Sequence, residues 1–150
     1  GTFARLINMD IEPFLLASTI MGVLGVRLLR TNCMHCATPY TPEAYALEQL
    51  RQFEGEEYLQ MLIDQQGFYK GAGCSACSNT GFSGRGSINE LLVCEEQIRE
   101  AVMQKRASRE IQGMAVENGM RTLWESGLQM VVDRKTTLEE TLQKVAADQV

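Results

Sequence analysis

The alternation of apolar and polar positions divides this chain into an opening helix and strand, an acidic middle and a long helical end. Glu12-Pro13-Phe14-Leu15-Leu16-Ala17-Ser18-Thr19-Ile20 starts with an acid and a proline at a first helical position, and Gly22 ends the helix it predicts. Val23 to Arg30 is dense enough in apolar residues to predict a strand buried on much of both faces. Ser87 to Val93 predicts a returning strand, with Gly81, Gly84 and Gly86 marking turns before it. Between the strands, Thr41-Pro42-Glu43 has the cap, proline, acid order that opens a helix, here to about Phe53. Gly55 breaks it, and Glu56 to Gln65 predicts a further short helix with Leu59, Leu62 and Ile63 inward.

From Glu95 onward the period is helical. Ile98, Ala101 and Val102 share one face; Ile111, Met114 and Ala115 share another after Ser108. Thr122 with Glu125, and Thr137 with Glu140, have capping-box spacing and should each start a helix. Leu123, Trp124, Leu128, Met130 and Val131 form the stripe of the penultimate helix, which reads as core rather than as a cofactor pocket. The class predicted is α+β and mostly helical.

Composition narrows the function. With 45% apolar and 22% charged residues the 150-residue chain is an ordinary globular sequence. A net charge of -5 argues against a general nucleic-acid binder, which needs a basic face. Residues 37–73 hold six acids (Glu43, Glu48, Glu54, Glu56, Glu57, Asp64) against Arg51 and Lys70, a solvated or partner-facing surface. The longest apolar run, Phe14 to Val26, is interrupted by Ser18, Thr19, Gly22 and Gly25 and is shorter than the about 20 residues a bilayer requires. The chain opens on Gly1 with no export signal, and reads as a piece excised from a longer protein.

Five cysteines without an export signal point to a reducing compartment, where paired Cys-x-x-Cys reads as metal rather than disulfide. Cys33-Met34-His35-Cys36 and Cys74-Ser75-Ala76-Cys77 together supply a closed tetrahedral shell for one Zn²⁺. Such a site holds structure and leaves no position for water or substrate. The 37 residues between Cys36 and Cys74 exceed the spacing of small zinc ribbons, but doubling a loop costs only ~0.6 kcal/mol. Structural zinc contributes roughly 10–16 kcal/mol in small peptides. A mononuclear iron or iron–sulfur site, or four unrelated thiols, are the rival readings.

His35 lies between two ligands and reads as a spectator. Cys94 stands at an N-cap-like position before Glu95-Glu96-Gln97, where a helix N-terminus can lower a thiol pKa, although a cap or packing role is simpler. Arg85 and Glu90, flanking the start of the returning strand, read as a structural ion pair or interface residues. No nucleotide-binding or zinc-protease motif occurs, so no catalytic residue is assigned.

The order of the motifs carries a resemblance. Glu-Pro-Phe-Leu-Leu-Ala-Ser, Arg27-Leu28-Leu29-Arg30, Cys-x-x-Cys and Gly73-Cys-x-x-Cys come first. Asn79-Thr80-Gly81-Phe82-Ser83-Gly84-Arg85, Glu90-Leu91-Leu92, Ile98-Arg99-Glu100, Gly119-Met120-Arg121-Thr122-Leu123 and Thr136-Thr137-Leu138-Glu139-Glu140 follow. Over essentially its whole length the chain resembles the C-terminal portion of the type II secretion ATPase E and type IV pilus assembly ATPase family.

The resemblance implies a hexameric cytoplasmic motor that hydrolyses ATP with Mg²⁺ and docks on inner-membrane platform proteins, with no transmembrane segment and no nucleic-acid partner. Its RecA-like, P-loop nucleotide motifs would lie upstream, leaving this stretch alone inactive. Residues 1–31 would be the terminal part of the RecA-like domain, 32–84 a zinc-binding insertion, and 85–150 the returning strand with a C-terminal helical subdomain. Cys33, Cys36, Cys74 and Cys77 fall on the family's four zinc cysteines; Arg27, Arg85 and Glu90 are candidates for structural or interface roles. Departures occur at Val26, at Ser87-Ile88-Asn89 and at Ser126, where the family usually has Gln, Gly-Ile-Tyr and Asp. The alternative function is a self-contained zinc-stapled adaptor that only binds proteins.

Overall fold

The structure is a computed structural model that describes residues 1–146. Among these residues are eight α-helices and four strands in a mixed α/β arrangement. Chain order is α1 (Thr2–Asn8), α2 (Pro13–Thr19), β1 (Gly22–Asn32), β2 (Ala37–Pro39), α3 (Ala44–Glu54), α4 (Glu56–Asp64) and β3 (Tyr69–Gly71). A 3₁₀ turn (Ser75–Cys77) then leads to β4 (Phe82–Val93), α5 (Glu96–Met103), α6 (Ser108–Glu117), α7 (Leu123–Val132) and α8 (Leu138–Ala146). No helix among the described residues is long and apolar enough to cross a membrane.

β1 and β4 pair in one two-stranded sheet and β2 with β3 in another. The chain forms two compact units, and β1 and β4 each run from one into the other. The first unit comprises Gly1–Gly25 and Asn89–Thr122. Its core gathers Phe3, Leu16, Ala17, Cys94, Ile98, Ala101, Val102, Ile111 and Ala115. Apart from Phe3 of α1 and Cys94 before α5, these are the apolar stripes of α2, α5 and α6, so the 3.6-residue period found its burial here. Cys94 N–H donates to Met21 C=O at 3.0 Å, joining the end of β4 to the start of β1. The Arg99 guanidinium donates to Ala17 C=O and ties α5 to α2.

The second unit comprises Val26–Ile88 and the chain from Leu123. Ala46, Leu50, Leu59, Leu62, Phe68, Leu128, Val131, Leu138 and Leu142 form its larger core, which draws α3, α4, α7 and α8 together. Phe53 meets Trp124 edge-on at 5.0 Å, and the Trp124 indole N–H donates to Glu54 at 2.8 Å. Leu29, Ile88 and Leu123 form a smaller cluster under the two long strands. β2 and β3 run antiparallel with Ala37 opposite Gly71 and Pro39 opposite Tyr69.

Several expectations are corrected. β1 is not buried on both faces: Leu24, Val26 and Leu28 are exposed at alternate positions, because only one side of the sheet is covered. Gly84 and Gly86 lie inside β4 rather than in turns, Gly84 at φ +76°. The cap of α3 is Glu43, one residue beyond the proline, and not Thr41. Ile63 is exposed, since the inward stripe of α4 is confined to Leu59 and Leu62. Thr137 caps α8 through Oγ1, which accepts from Glu140 N–H at 3.1 Å.

Candidate metal centre

The first Cys-x-x-Cys turn is formed where β1 gives way to β2, and the second around the 3₁₀ turn before β4. Cys36 N–H donates to Cys33 C=O and Cys77 N–H to Cys74 C=O, so each pair is folded back on itself. Beyond Cys77 the chain reverses through Ser78 and Asn79, both left-handed at φ 54° and 62°. Asn79 N–H closes that reversal on Cys74 C=O at 2.8 Å.

What brings the two turns together is a backbone contact between glycines. A Cβ on Gly71 would lie 2.0 Å from Gly81 O, and one on Gly81 would lie 2.3 Å from Gly71 O. No side chain fits at either position. Gly81 C=O also accepts from Cys33 N–H at 2.9 Å, which locks the start of β4 onto the first cysteine turn.

The result is a cluster of four sulfurs, Cys33, Cys36, Cys74 and Cys77, all within 4.8 Å of one another. Three of the separations (Cys33–Cys74, Cys36–Cys77 and Cys74–Cys77) are 3.8 Å. A tetrahedron with metal–sulfur bonds of ~2.3 Å has edges of ~3.8 Å. A disulfide would need ~2.05 Å between the sulfurs. An iron–sulfur cluster sets several irons between its cysteines and spreads them wider than one ion does. The spacing therefore fits a single four-coordinate cation, and the donors are soft thiols.

Electrostatics lead to the same conclusion. Cys33 and Cys77 are buried, while Cys36 and Cys74 reach the surface. Gly73 N–H points at Cys36 Sγ (3.3 Å), Cys74 N–H at Cys77 Sγ (3.3 Å) and Gly81 N–H also at Cys77 Sγ (3.2 Å). Burial opposes ionisation of Cys77, but the N–H donors of Cys74 and Gly81 and the neighbouring thiols outweigh it and pull its pKa down to about 6. Gly73 N–H acts the same way on Cys36, yet burial and the three neighbouring sulfurs prevail and push it up to about 11. Four thiolates this close cannot all ionise without a cation among them. A divalent ion removes that conflict.

Of the other sequence candidates, His35 is exposed and outside the cluster. Cys94 is a buried member of the first unit's core; the residue capping α5 is Glu95, and burial raises the Cys94 thiol rather than lowering it. Arg27 Nη1 donates to Val26 C=O at 2.8 Å, Arg85 is exposed, and Glu90 accepts from Gln112 Nε2 at 3.4 Å.

Residues that the pattern did not reveal support the centre from behind. Arg30 grips Glu140 with Nε at 3.0 Å and Nη2 at 2.6 Å on the same carboxylate oxygen, and its own backbone N–H reaches Oε1 at 3.3 Å. Burial opposes the Glu140 charge, but these Arg30 contacts hold the carboxyl below its ordinary range. Asn32, the residue before Cys33, donates from Nδ2 to Tyr69 C=O and to Arg134 C=O. Asn32 N–H and Arg30 C=O further bind Lys135 C=O and the Thr136 hydroxyl. The strand that delivers Cys33 is thus clamped to the α7–α8 turn. Thr137 and Glu140 have capping-box spacing and Thr137 does cap α8, but the Glu140 carboxylate serves Arg30, 110 positions away.

With the geometry established, comparison with known proteins gives the family. The model of the "Type II/IV secretion system protein" family matches residues 1–143. The chain is 40% identical over 138 residues to the type IV pilus assembly ATPase PilB of Thermus thermophilus, covering 92% of this chain and 15% of that protein. It is 37% identical over 138 residues to the type II secretion system protein HxcR of Pseudomonas aeruginosa (92% of this chain, 24% of that protein). To the type II secretion system protein E of Aeromonas hydrophila it is 34% identical over 148 residues (99% and 28%). The chain thus spans 15–28% of the length of these relatives. It belongs to the type II/IV secretion system protein family.

Proposed function

We propose that Cys33, Cys36, Cys74 and Cys77 hold one structural Zn²⁺, and that the chain is the zinc-stapled C-terminal region of an ATP-driven type II secretion or type IV pilus motor. The observation that carries this is the four-sulfur cluster at single-ion spacing within a chain of this family. Four thiolates fill the coordination shell, so the ion would supply rigidity and charge balance rather than catalysis. Residues 1–31 would be the terminal part of a RecA-like domain, 32–84 a zinc-binding insertion, and 85–150 a returning strand with a helical subdomain.

In the full-length protein, ATP and Mg²⁺ would bind upstream. Other copies in a hexamer and inner-membrane platform proteins would be the partners, at the cytoplasmic face. Relatives named as ATPases of pilus assembly and of type II secretion support that assignment. Arg27, Arg85 and Glu90 are assigned structural or interface roles.

The test is elemental analysis of protein purified without chelators. One zinc per chain is expected, together with no ATP hydrolysis by this stretch on its own. Iron in stoichiometric amount, or no metal at all, would refute the zinc assignment. A full-length chain without a P-loop would refute the motor.

A further inference from the structure

The first cysteine turn, Cys33 to Cys36, is bracketed by two side chains that reach the same distant segment of the second unit. On one side stands Asn32, 3% exposed, at the end of β1. Its Nδ2 donates to Tyr69 C=O at 3.0 Å and to Arg134 C=O at 3.2 Å, and its backbone N–H donates to Lys135 C=O at 2.8 Å. On the other side stands Tyr40, half-buried, the residue after β2. Its hydroxyl donates to the Glu139 carboxylate at 2.7 Å and accepts from Leu138 N–H at 3.3 Å. Leu138 is the first residue of α8, so both brackets close on the turn that opens this helix.

Two features make these contacts a linkage rather than local packing. The path from Cys36 to Tyr40 is stiff. Ala72 N–H donates to Cys36 C=O and Tyr40 N–H donates to Phe68 C=O, both at 3.0 Å, and β2 pairs with β3 between them. A displaced cysteine turn therefore displaces the Tyr40 hydroxyl. The turn it helps to hold is also strained, because Arg134 is left-handed at φ 64° where a helix end ordinarily has glycine. Asn32 Nδ2 holds the Arg134 carbonyl, and the Arg134 guanidinium stacks on the Tyr69 ring, 4.3 Å from its centroid. Such a conformation persists only while its surroundings enforce it.

We propose that the cysteine centre controls the seating of α8, with Asn32 and Tyr40 as the positioning residues that connect the two. With the four sulfurs drawn around one ion, both brackets stand in register and the first turn of α8 is held. Without the ion the Cys33 to Cys36 turn loosens, both brackets slacken and the strained turn at Arg134 relaxes. Coupling of this kind is reciprocal, so a change that unseats α8 weakens metal binding as well. The proposal rests on the reading of the cluster as a metal site and gives that site a consequence in a helix that supplies no ligand.

Hydrogen exchange of the 150-residue chain, zinc-loaded and after treatment with EDTA, tests it. Zinc removal should speed exchange of the Leu138, Glu140 and Thr141 amides by roughly tenfold or more, with the α5 and α6 amides unchanged. Tyr40→Phe removes one hydroxyl and leaves all four cysteines in place. In the zinc-loaded chain it should speed exchange of the same α8 amides about fivefold, and in the zinc-free chain it should change them little. A hydroxyl that only supported the helix would give the same loss in both states. Zinc affinity of Tyr40→Phe, read by competition with a chromophoric chelator, should fall by a similar factor. Asn32→Ala should act in the same direction and more strongly, and should alter the visible spectrum of the Co²⁺-substituted chain, which reports the geometry of the four sulfurs. Should Asn32→Ala not fold, Tyr40→Phe alone decides. Zinc removal that leaves the α8 amides protected, or a Tyr40→Phe effect equal with and without zinc, would overturn the linkage and leave the metal reading standing. A chain that binds no zinc would overturn both.

Discussion

The two compact units use the same residue, cysteine, in opposite ways. In the first, Cys94 is one of nine buried core members, surrounded by aliphatic side chains, and burial raises its thiol. In the second, four cysteines stand together with backbone N–H groups of Gly73, Cys74 and Gly81 aimed at two of their sulfurs. Burial alone does not separate the roles, because Cys33 at 1% exposure is more buried than Cys94 at 6%. The difference lies in the donors and in the neighbouring sulfurs. One environment needs no charge and treats sulfur as a small hydrophobe; the other gathers N–H donors and thiols in a way that suits negative charge and could hold a metal ion.

The same contrast extends to what holds each unit together. The first has one continuous apolar core. The second divides its apolar residues between two clusters and adds the cysteine centre and the Arg30–Glu140 clamp. The largest test therefore removes the metal. Chelation, or Cys77→Ser, should melt the β2–β3 lobe while α1, α2, α5 and α6 keep their amide protection in hydrogen exchange. Structural zinc contributes roughly 10–16 kcal/mol in isolated modules, more than a small lobe's whole stability. Equal loss of protection in both units would break the distinction.

A smaller effect of the same sign is expected from Gly81→Ala. The new methyl would fall 2.3 Å from Gly71 O, and the residue sits at φ +79°, so the two cysteine turns must separate. Strain at such a backbone position is of order 1–3 kcal/mol, and here the displacement is passed to the ligands. Competition with a chromophoric chelator should show at least tenfold weaker metal binding. Unchanged affinity would mean that the glycine contact does not position the cysteines.

Much of the cysteine cluster was legible because its members come in local pairs. Each Cys-x-x-Cys turn is a four-residue event, and the stripes of α2, α5, α6 and α7 are likewise short-range periodicities. What could not be read was the pairing of distant segments. Arg30 and Glu140 are 110 residues apart, and no spacing rule connects them. Gly71 gave no signal, because a close approach between backbones is a property of two chain segments and not of one. Apolar density misleads at the exposed side of β1 for a related reason: it reports what a strand could bury, not what is there to cover it.

The Arg30–Glu140 clamp tests the second unit away from its cysteine cluster. Arg30→Met leaves the Glu140 carboxylate buried without its main partner, and breaking a buried pair costs roughly 3–5 kcal/mol. Arg30 is itself 55% exposed, so about 2 kcal/mol is the expected loss. The pH dependence gives the sharper readout. In the wild type the folded Glu140 pKa is depressed, so its contribution is present above the unfolded value near 4.5 and is lost as pH falls through the folded one. In Arg30→Met the backbone N–H of residue 30 and Lys144, 3.9 Å from Oε1, still oppose the effect of burial, so the depression should shrink and the loss of stability on acidification should shrink with it. Chemical denaturation from pH 4.5 to 7 on metal-loaded protein checks the flattened slope. Parallel curves for wild type and variant would remove Glu140 from the clamp.

The smallest predicted effect is the one that completes the contrast between the cysteines. Cys94→Ala removes one sulfur from a packed core, and truncations of this size cost about 1 kcal/mol through lost burial and the small void left behind. Cys94→Ser should cost more, because a buried hydroxyl lacks the apolar character for which the thiol is used. Neither substitution should alter metal stoichiometry or affinity. That ordering, alanine above serine with the metal unaffected, is specific to a packing thiol. At Cys77 both substitutions remove a proposed ligand and should be equally damaging. If Cys94→Ser were better tolerated than Cys94→Ala, the polar role of a helix cap would be restored to it.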